Sequence, residues 1–105
     1  MLELTKETFE AEVLQASGKV LVDFYGDGCA PCMALMPHVH ALAEEFGAQL
    51  KFTALNTSKA RRVAISQQVM GLPVIALYEN GAKLVQLVKD DATPEAVRAM
   101  VTANL

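Results

Sequence analysis

The run Val20-Leu-Val-Asp-Phe-Tyr25 constrains this chain more than any other stretch. It is almost wholly apolar and rich in β-branched and aromatic residues, as a strand covered on both faces must be. Gly26 to Gly28 then turn the chain, and a helical pattern runs from about Cys29 to Phe46. Its apolar side is Cys32, Leu35, Met36, Val39, Ala43 and Phe46, all at helical spacing. Pro37 lies inside this pattern and predicts a kink, and Gly47 predicts its end. Leu50 to Asn56 reads as a second strand, with Phe52, Ala54 and Leu55 inward. Strand, long helix and strand in this order make a crossover unit, so the two strands lie parallel with a right-handed connection.

The flanking segments extend this unit. Leu2-Glu-Leu4 reads as a short edge strand, and Thr5 caps a helix over Lys6 to about Gln15 with Phe9, Val13 and Leu14 inward. Ser17-Gly18-Lys19 breaks that helix. Downstream, Thr57-Ser58 caps a helix over about Lys59 to Gln68 whose apolar residues are Val63, Ala64 and Ile65. Gly71-Leu72-Pro73 interrupts the chain. Val74 to Glu79 and Lys83 to Val88 flank Asn80-Gly81, the strongest short hairpin signal. Thr93-Pro94-Glu95 starts a last helix that carries Ala96, Val97, Met100 and Val101. The result is an α/β chain with a mixed central sheet and helices on both faces.

At 105 residues the chain suits a single domain over 1–105 with one connected core. Its net charge of −3 and scattered basic residues argue against a nucleic-acid partner. No apolar run reaches membrane-spanning length, and the N-terminus lacks an apolar signal core. The expected location is therefore the cytoplasm, where structural disulfides are rare. A Cys-x-x-Cys pair there points to redox or metal chemistry.

Cys29 and Cys32 are the only cysteines, and the pattern places them at a strand-to-helix junction. In the first helical turn Cys29 meets free backbone N–H groups, which favour the thiolate. Cys32 lies one turn in, on the apolar stripe, where it is shielded. One accessible thiolate and one protected thiol suit thiol–disulfide exchange. His38 and His40 raise the alternative of zinc. Cys29 and His38 are about 13 Å apart along a helix, too far for ligands that must converge within about 2.3 Å of the ion. Both histidines are expected on the solvated helix surface. Asp23 interrupts the buried strand, where its ionisation is costly; a raised pKa there suits it to take a proton from Cys32. Met70-Gly71-Leu72 reads as an exposed apolar lip ahead of Pro73.

Phe24 to Met33 with its Cys29-Ala-Pro-Cys32 core, Pro37, Leu55-Asn56, Gly71-Leu-Pro-Val74, Tyr78-Glu-Asn-Gly81 and a closing Ala103-Asn-Leu105 together resemble the thioredoxin family. The resemblance spans the whole chain. It implies the thioredoxin fold and a protein-disulfide reductase with Cys29 as attacking nucleophile, Cys32 as resolving thiol and Asp23 as proton acceptor. It also implies that Ala30, Pro31, Met70, Gly71, Leu72 and Pro73 meet the substrate, with Pro73 in the cis form and Leu72 offering its backbone to an extended target. The expected cofactor set is none bound and no metal. Electrons are expected from NADPH through a thioredoxin reductase, with disulfide-containing proteins as targets and a monomer as the working form. Several positions depart from the family's pattern. Gly28 replaces a tryptophan before the first cysteine, Ala30 a glycine between the cysteines, and Tyr25 a second tryptophan. Ala54 stands where a lysine often neighbours the buried acid, and Asp90 falls near a usual glycine of the lip. A more oxidising or isomerase role, and a binding subunit with incidental cysteines, are the competing expectations.

Overall fold

The computed structural model describes all 105 residues. Five strands form one sheet: β1 (Leu2–Leu4), β2 (Lys19–Tyr25), β3 (Lys51–Asn56), β4 (Val74–Glu79) and β5 (Ala82–Val88). Their order across the sheet is β1-β3-β2-β4-β5. The apolar run Val20 to Tyr25 thus lies in the middle strand. β1 and β2 both run parallel to β3, whereas β4 is antiparallel to β2 and β5 to β4. The β4–β5 turn has positive φ at both Asn80 (51°) and Gly81 (84°), the geometry of a type I′ hairpin. A Cβ at Gly81 would run into the Leu14 carbonyl, which explains glycine there.

Alternate residues of β2 feed two cores, one on each face of the sheet, where the chain length alone suggested a single core. Leu21 joins Leu35, Val39 and Leu42 of helix α1 (Ala30–Phe46) and Val97, Met100 and Val101 of the C-terminal helix. Val20, Val22 and Phe24 pack on the other face with Phe9, Val13, Ala60 and Tyr78. Helix α2 (Arg61–Ser66) lies on that second side. Helix α3 (Pro94–Thr102) starts as its sequence predicts: the Ala96 N–H donates to Thr93 Oγ1 at 3.1 Å, and Pro94 occupies the first turn.

Four local expectations are revised. The first helical segment ends in a wide turn over Glu10–Leu14, where the Gln15 N–H donates to the Glu10 carbonyl at 2.8 Å. Lys51 Nζ reaches the Glu12 carbonyl beside it, at 2.8 Å. On α1 the buried stripe is Cys32, Leu35, Val39 and Leu42. Met36, Ala43 and Phe46 are only half-buried, so the stripe continues through Leu42. Gly47 has φ −62°, a right-handed helix end rather than a left-handed glycine cap. The helix expected over Lys59 to Gln68 is a 3₁₀ turn (Thr57–Lys59) followed by the short α2, and Ile65 is 75% exposed. Thr57 and Ser58 do not cap it, for their hydroxyls are engaged by Tyr25 and Asp27.

Candidate functional site

Cys29 is the N-cap of α1, with φ −87° and ψ 98°. The Cys32 N–H donates to Cys29 Sγ at 3.2 Å, and the Met33 N–H to the Cys29 carbonyl at 3.1 Å. An N–H aimed at this sulfur at a helix start favours negative charge on it when the pair is reduced. The two sulfurs are joined in a disulfide with Cα atoms 5.3 Å apart. Cys29 is half-buried, whereas Cys32 is only 1% exposed. The geometry thus gives the pair the asymmetry that its sequence position predicts.

The loop before Cys29 is tied to the end of β3. The Thr57 hydroxyl donates to the Tyr25 carbonyl at 2.8 Å, and the Asp27 N–H donates to Ser58 Oγ at 3.0 Å. Asn56 Nδ2 donates to Asp27 Oδ1 at 3.0 Å. A side chain at Gly26 would crowd Leu72 Cδ1 at 2.9 Å and Ser58 Oγ at 3.3 Å. Glycine at position 26 therefore lets the loop, the 3₁₀ turn and the segment before Pro73 close together. The sequence marks Thr57 and Ser58 as helix caps and not as ties to this loop, because hydroxyls before a helical pattern look like caps. Gly28 has φ +72° and open space where a side chain would stand. No side chain covers Cys29 from that position.

The peptide bond between Leu72 and Pro73 is cis. Pro73 is buried and shares a shallow groove of about 350 Å³ with Pro31, Ala34, His38, Lys89 and Asp90. Pro31 and Pro73 are thus brought together as expected, and Asp90 does fall at this lip. Lys89 was not singled out by sequence. Its backbone is left-handed (φ 54°), its N–H donates to the Pro73 carbonyl at 2.8 Å, and its stem lies against Gly71. Ala30 is exposed and Met70 is 94% exposed, whereas Leu72 turns inward onto the core that holds Phe24 and Val74. The lip is apolar at its tip and anchored at its base. His38 and His40 are exposed on α1. No three His, Cys, Asp or Glu side chains converge closely enough to hold a metal.

Asp23 is 1% exposed, and its Oδ2 is the one buried side-chain oxygen or nitrogen without a hydrogen-bond partner. It follows Leu21 on the face of β2 that α1 covers, and Cys32 heads the buried stripe of that helix. In register, Ala54 of β3 flanks Asp23 on one side and Ile75 of β4 on the other, so neither neighbour supplies a countercharge. Burial, with a smaller contribution from the Glu3 charge, raises its pKa to about 7.

The thioredoxin family model matches residues 1–103. The chain belongs to the thioredoxin family. It is 54% identical over 101 residues to a thioredoxin of Acetoanaerobium sticklandii, with 96% of each chain covered. It is 50% identical over 105 residues to a thioredoxin of Peptoclostridium acidaminophilum, covering all of this chain and 96% of that one. A 44-residue thioredoxin sequence of Tissierella creatinophila, matched over its full length and 42% of this chain, is 61% identical. Among thioredoxin-family features, this chain combines the sheet order, the cysteine pair at the start of α1 and the cis-Pro73 segment facing Pro31.

Proposed function

We propose that this thioredoxin-family chain is a protein-disulfide reductase that works by dithiol–disulfide exchange. The observation that carries the reading is the unequal exposure of two bonded cysteines at a helix start, with Cys29 accessible and Cys32 buried. In the reduced protein the Cys29 thiolate attacks one sulfur of a target disulfide. A mixed disulfide forms and one target thiolate leaves. Cys32 then gives its proton to the Asp23 carboxylate and attacks Cys29 Sγ, so the second target thiolate is released. Two electrons pass to the target, and Cys29 and Cys32 end as a disulfide.

In this reading Ala30, Pro31, Met70, Gly71, Leu72 and Pro73 form the surface that meets the target. The groove between Pro31 and Pro73 supports it, as does the exposed Met70. Backbone pairing with an extended target segment explains how one site serves many proteins. The chain acts as one domain over 1–105, as a monomer, with no cofactor bound. Its electrons come from NADPH through a thioredoxin reductase, and its place is the cytoplasm. No helix is long and apolar enough to cross a membrane.

Insulin reduction in the presence of dithiothreitol tests the activity. The wild-type chain accelerates precipitation of the reduced chains, and Cys29→Ser brings the rate to the uncatalysed level. Equal rates for wild type and Cys29→Ser contradict the reading.

A further inference from the structure

Glu3 and Tyr25 form a polar pair that the exchange reaction has not so far used. The Tyr25 hydroxyl donates to Glu3 Oε2 at 2.8 Å. Glu3 makes no ion pair, although Lys6 and Lys59 line the same cleft of about 580 Å³ into which it opens. The strand registers explain what the pair faces. Glu3 of β1 lies opposite Ala54 of β3, and Ala54 lies opposite Asp23 of β2. Glu3, Ala54 and Asp23 therefore form one row on one face of three adjacent strands. Tyr25 stands two residues beyond Asp23 on that face, so its hydroxyl draws the Glu3 carboxylate toward β2.

We propose that Glu3, fixed by Tyr25, is a positioning residue that holds a negative charge beside the Asp23 pocket and so strengthens Asp23's hold on its proton. The inference rests on the role given above to Asp23. The middle of the row decides how freely the two charges interact. Ala54 offers no charge and little bulk, so nothing in the row neutralises Glu3. The rest of the row carries no charge, with Ile75 on β4 and Leu87 on β5, and neither do the buried positions of α1 that cover this face, Cys32, Leu35, Val39 and Leu42. On its own strand Tyr25 is the nearest titratable residue on that face, and Lys19, four residues back on the same face, is turned away to the Asn104 carbonyl at 2.7 Å. Burial, the Glu3 bond and the Asp23 and Asp27 charges raise the Tyr25 pKa to about 12, so it stays a neutral donor. Asp27 is turned instead toward Asn56. Two strand spacings put the carboxyl-bearing residues about 10 Å apart. At that range, with an effective dielectric of about 20, one charge moves its neighbour's titration by about one pH unit. Solvent screening at the exposed Glu3 reduces this to about half a unit.

The test is a carbon-13 carboxyl NMR titration of Asp23 in the oxidised, full-length chain. Glu3→Gln is expected to lower the Asp23 midpoint by about half a pH unit, and Tyr25→Phe to lower it by less. Glu7→Gln, a control in the same cleft but outside the row, is expected to leave it in place. Thermal unfolding of each variant separates this from a general loosening. An Asp23 midpoint unchanged in Glu3→Gln, or moved equally by Glu7→Gln, overturns the proposal. The role of Asp23 is read separately, from the pH profile of target reduction by Asp23→Asn. If that profile matches wild type, the proton-acceptor role fails, and the NMR midpoints still decide whether Glu3 acts on Asp23.

Discussion

Ionising Asp23 works against folding, and the pH dependence of that cost follows from its position. A carboxyl with an ordinary value of 3.8 is raised to about 7 by burial and the Glu3 charge. Below about pH 4 it is neutral in both folded and unfolded chains. Between about pH 4 and 7 the folded chain keeps a proton that the unfolded chain has lost, so stability falls as pH rises. The total loss is on the order of 4 kcal/mol, complete above pH 7. Asp23→Asn removes this dependence. In urea unfolding its advantage over wild type grows from pH 4 to pH 8, and an equal difference at both pH values contradicts the account. The sequence shows Asp23 as an acid within an apolar strand, and its burial follows from that. Its unneutralised state also follows, once Ala54 is placed beside it. Glu3 was invisible at this scale because its relation to Asp23 runs through strand pairing. Gly28 was legible as a departure, and its positive φ adds a reason: a side chain there meets about 1–2 kcal/mol of backbone strain.

At the scale of elements, helical spacing located α1 to within a residue and most of its inner face, but passed over Leu42. Stepping from Val39 to Ala43 and Phe46 follows one spacing, whereas the packed stripe steps to Leu42. Both positions lie near the same side of a helix: Leu42 is buried in the core it shares with α3, while Ala43 and Phe46 pack at the edge of that core, Phe46 beneath Arg98 of α3. Leu42→Ala should cost about 2–5 kcal/mol of stability, and Met36→Ala, at a half-buried position, clearly less. Chemical denaturation of the two variants checks this, and an equal loss contradicts the observed face. The 3₁₀ turn before α2 was illegible for a different reason. Thr57 and Ser58 have the composition of a cap, but their hydroxyls bind Tyr25 and Asp27, far away in sequence. Local pattern cannot report a competition that a distant loop wins. Thr93 shows the opposite case, since no distant group competes for its hydroxyl and the cap forms.

For the whole molecule, the nearly uninterrupted apolar run of β2 announced a strand covered on both faces, and it stands between β3 and β4 in the sheet. Asn80-Gly81 announced the antiparallel half. The order of the strands and the pairing of Glu3 with Tyr25 needed tertiary structure, whereas the meeting of the Pro73 segment with α1 was implied by the resemblance. That meeting matters most for function, because it sets Pro31 and Pro73 on one groove beside a disulfide with one accessible and one buried sulfur. Such a molecule should trap its targets in one direction. The direct measurement is mass spectrometry of the single-cysteine variants after reaction with oxidised insulin. Cys32→Ser is expected to accumulate a mixed disulfide at Cys29, and Cys29→Ser to form little adduct at the buried Cys32. Comparable adducts on both variants, or none on Cys32→Ser, would contradict the division of labour between the two cysteines.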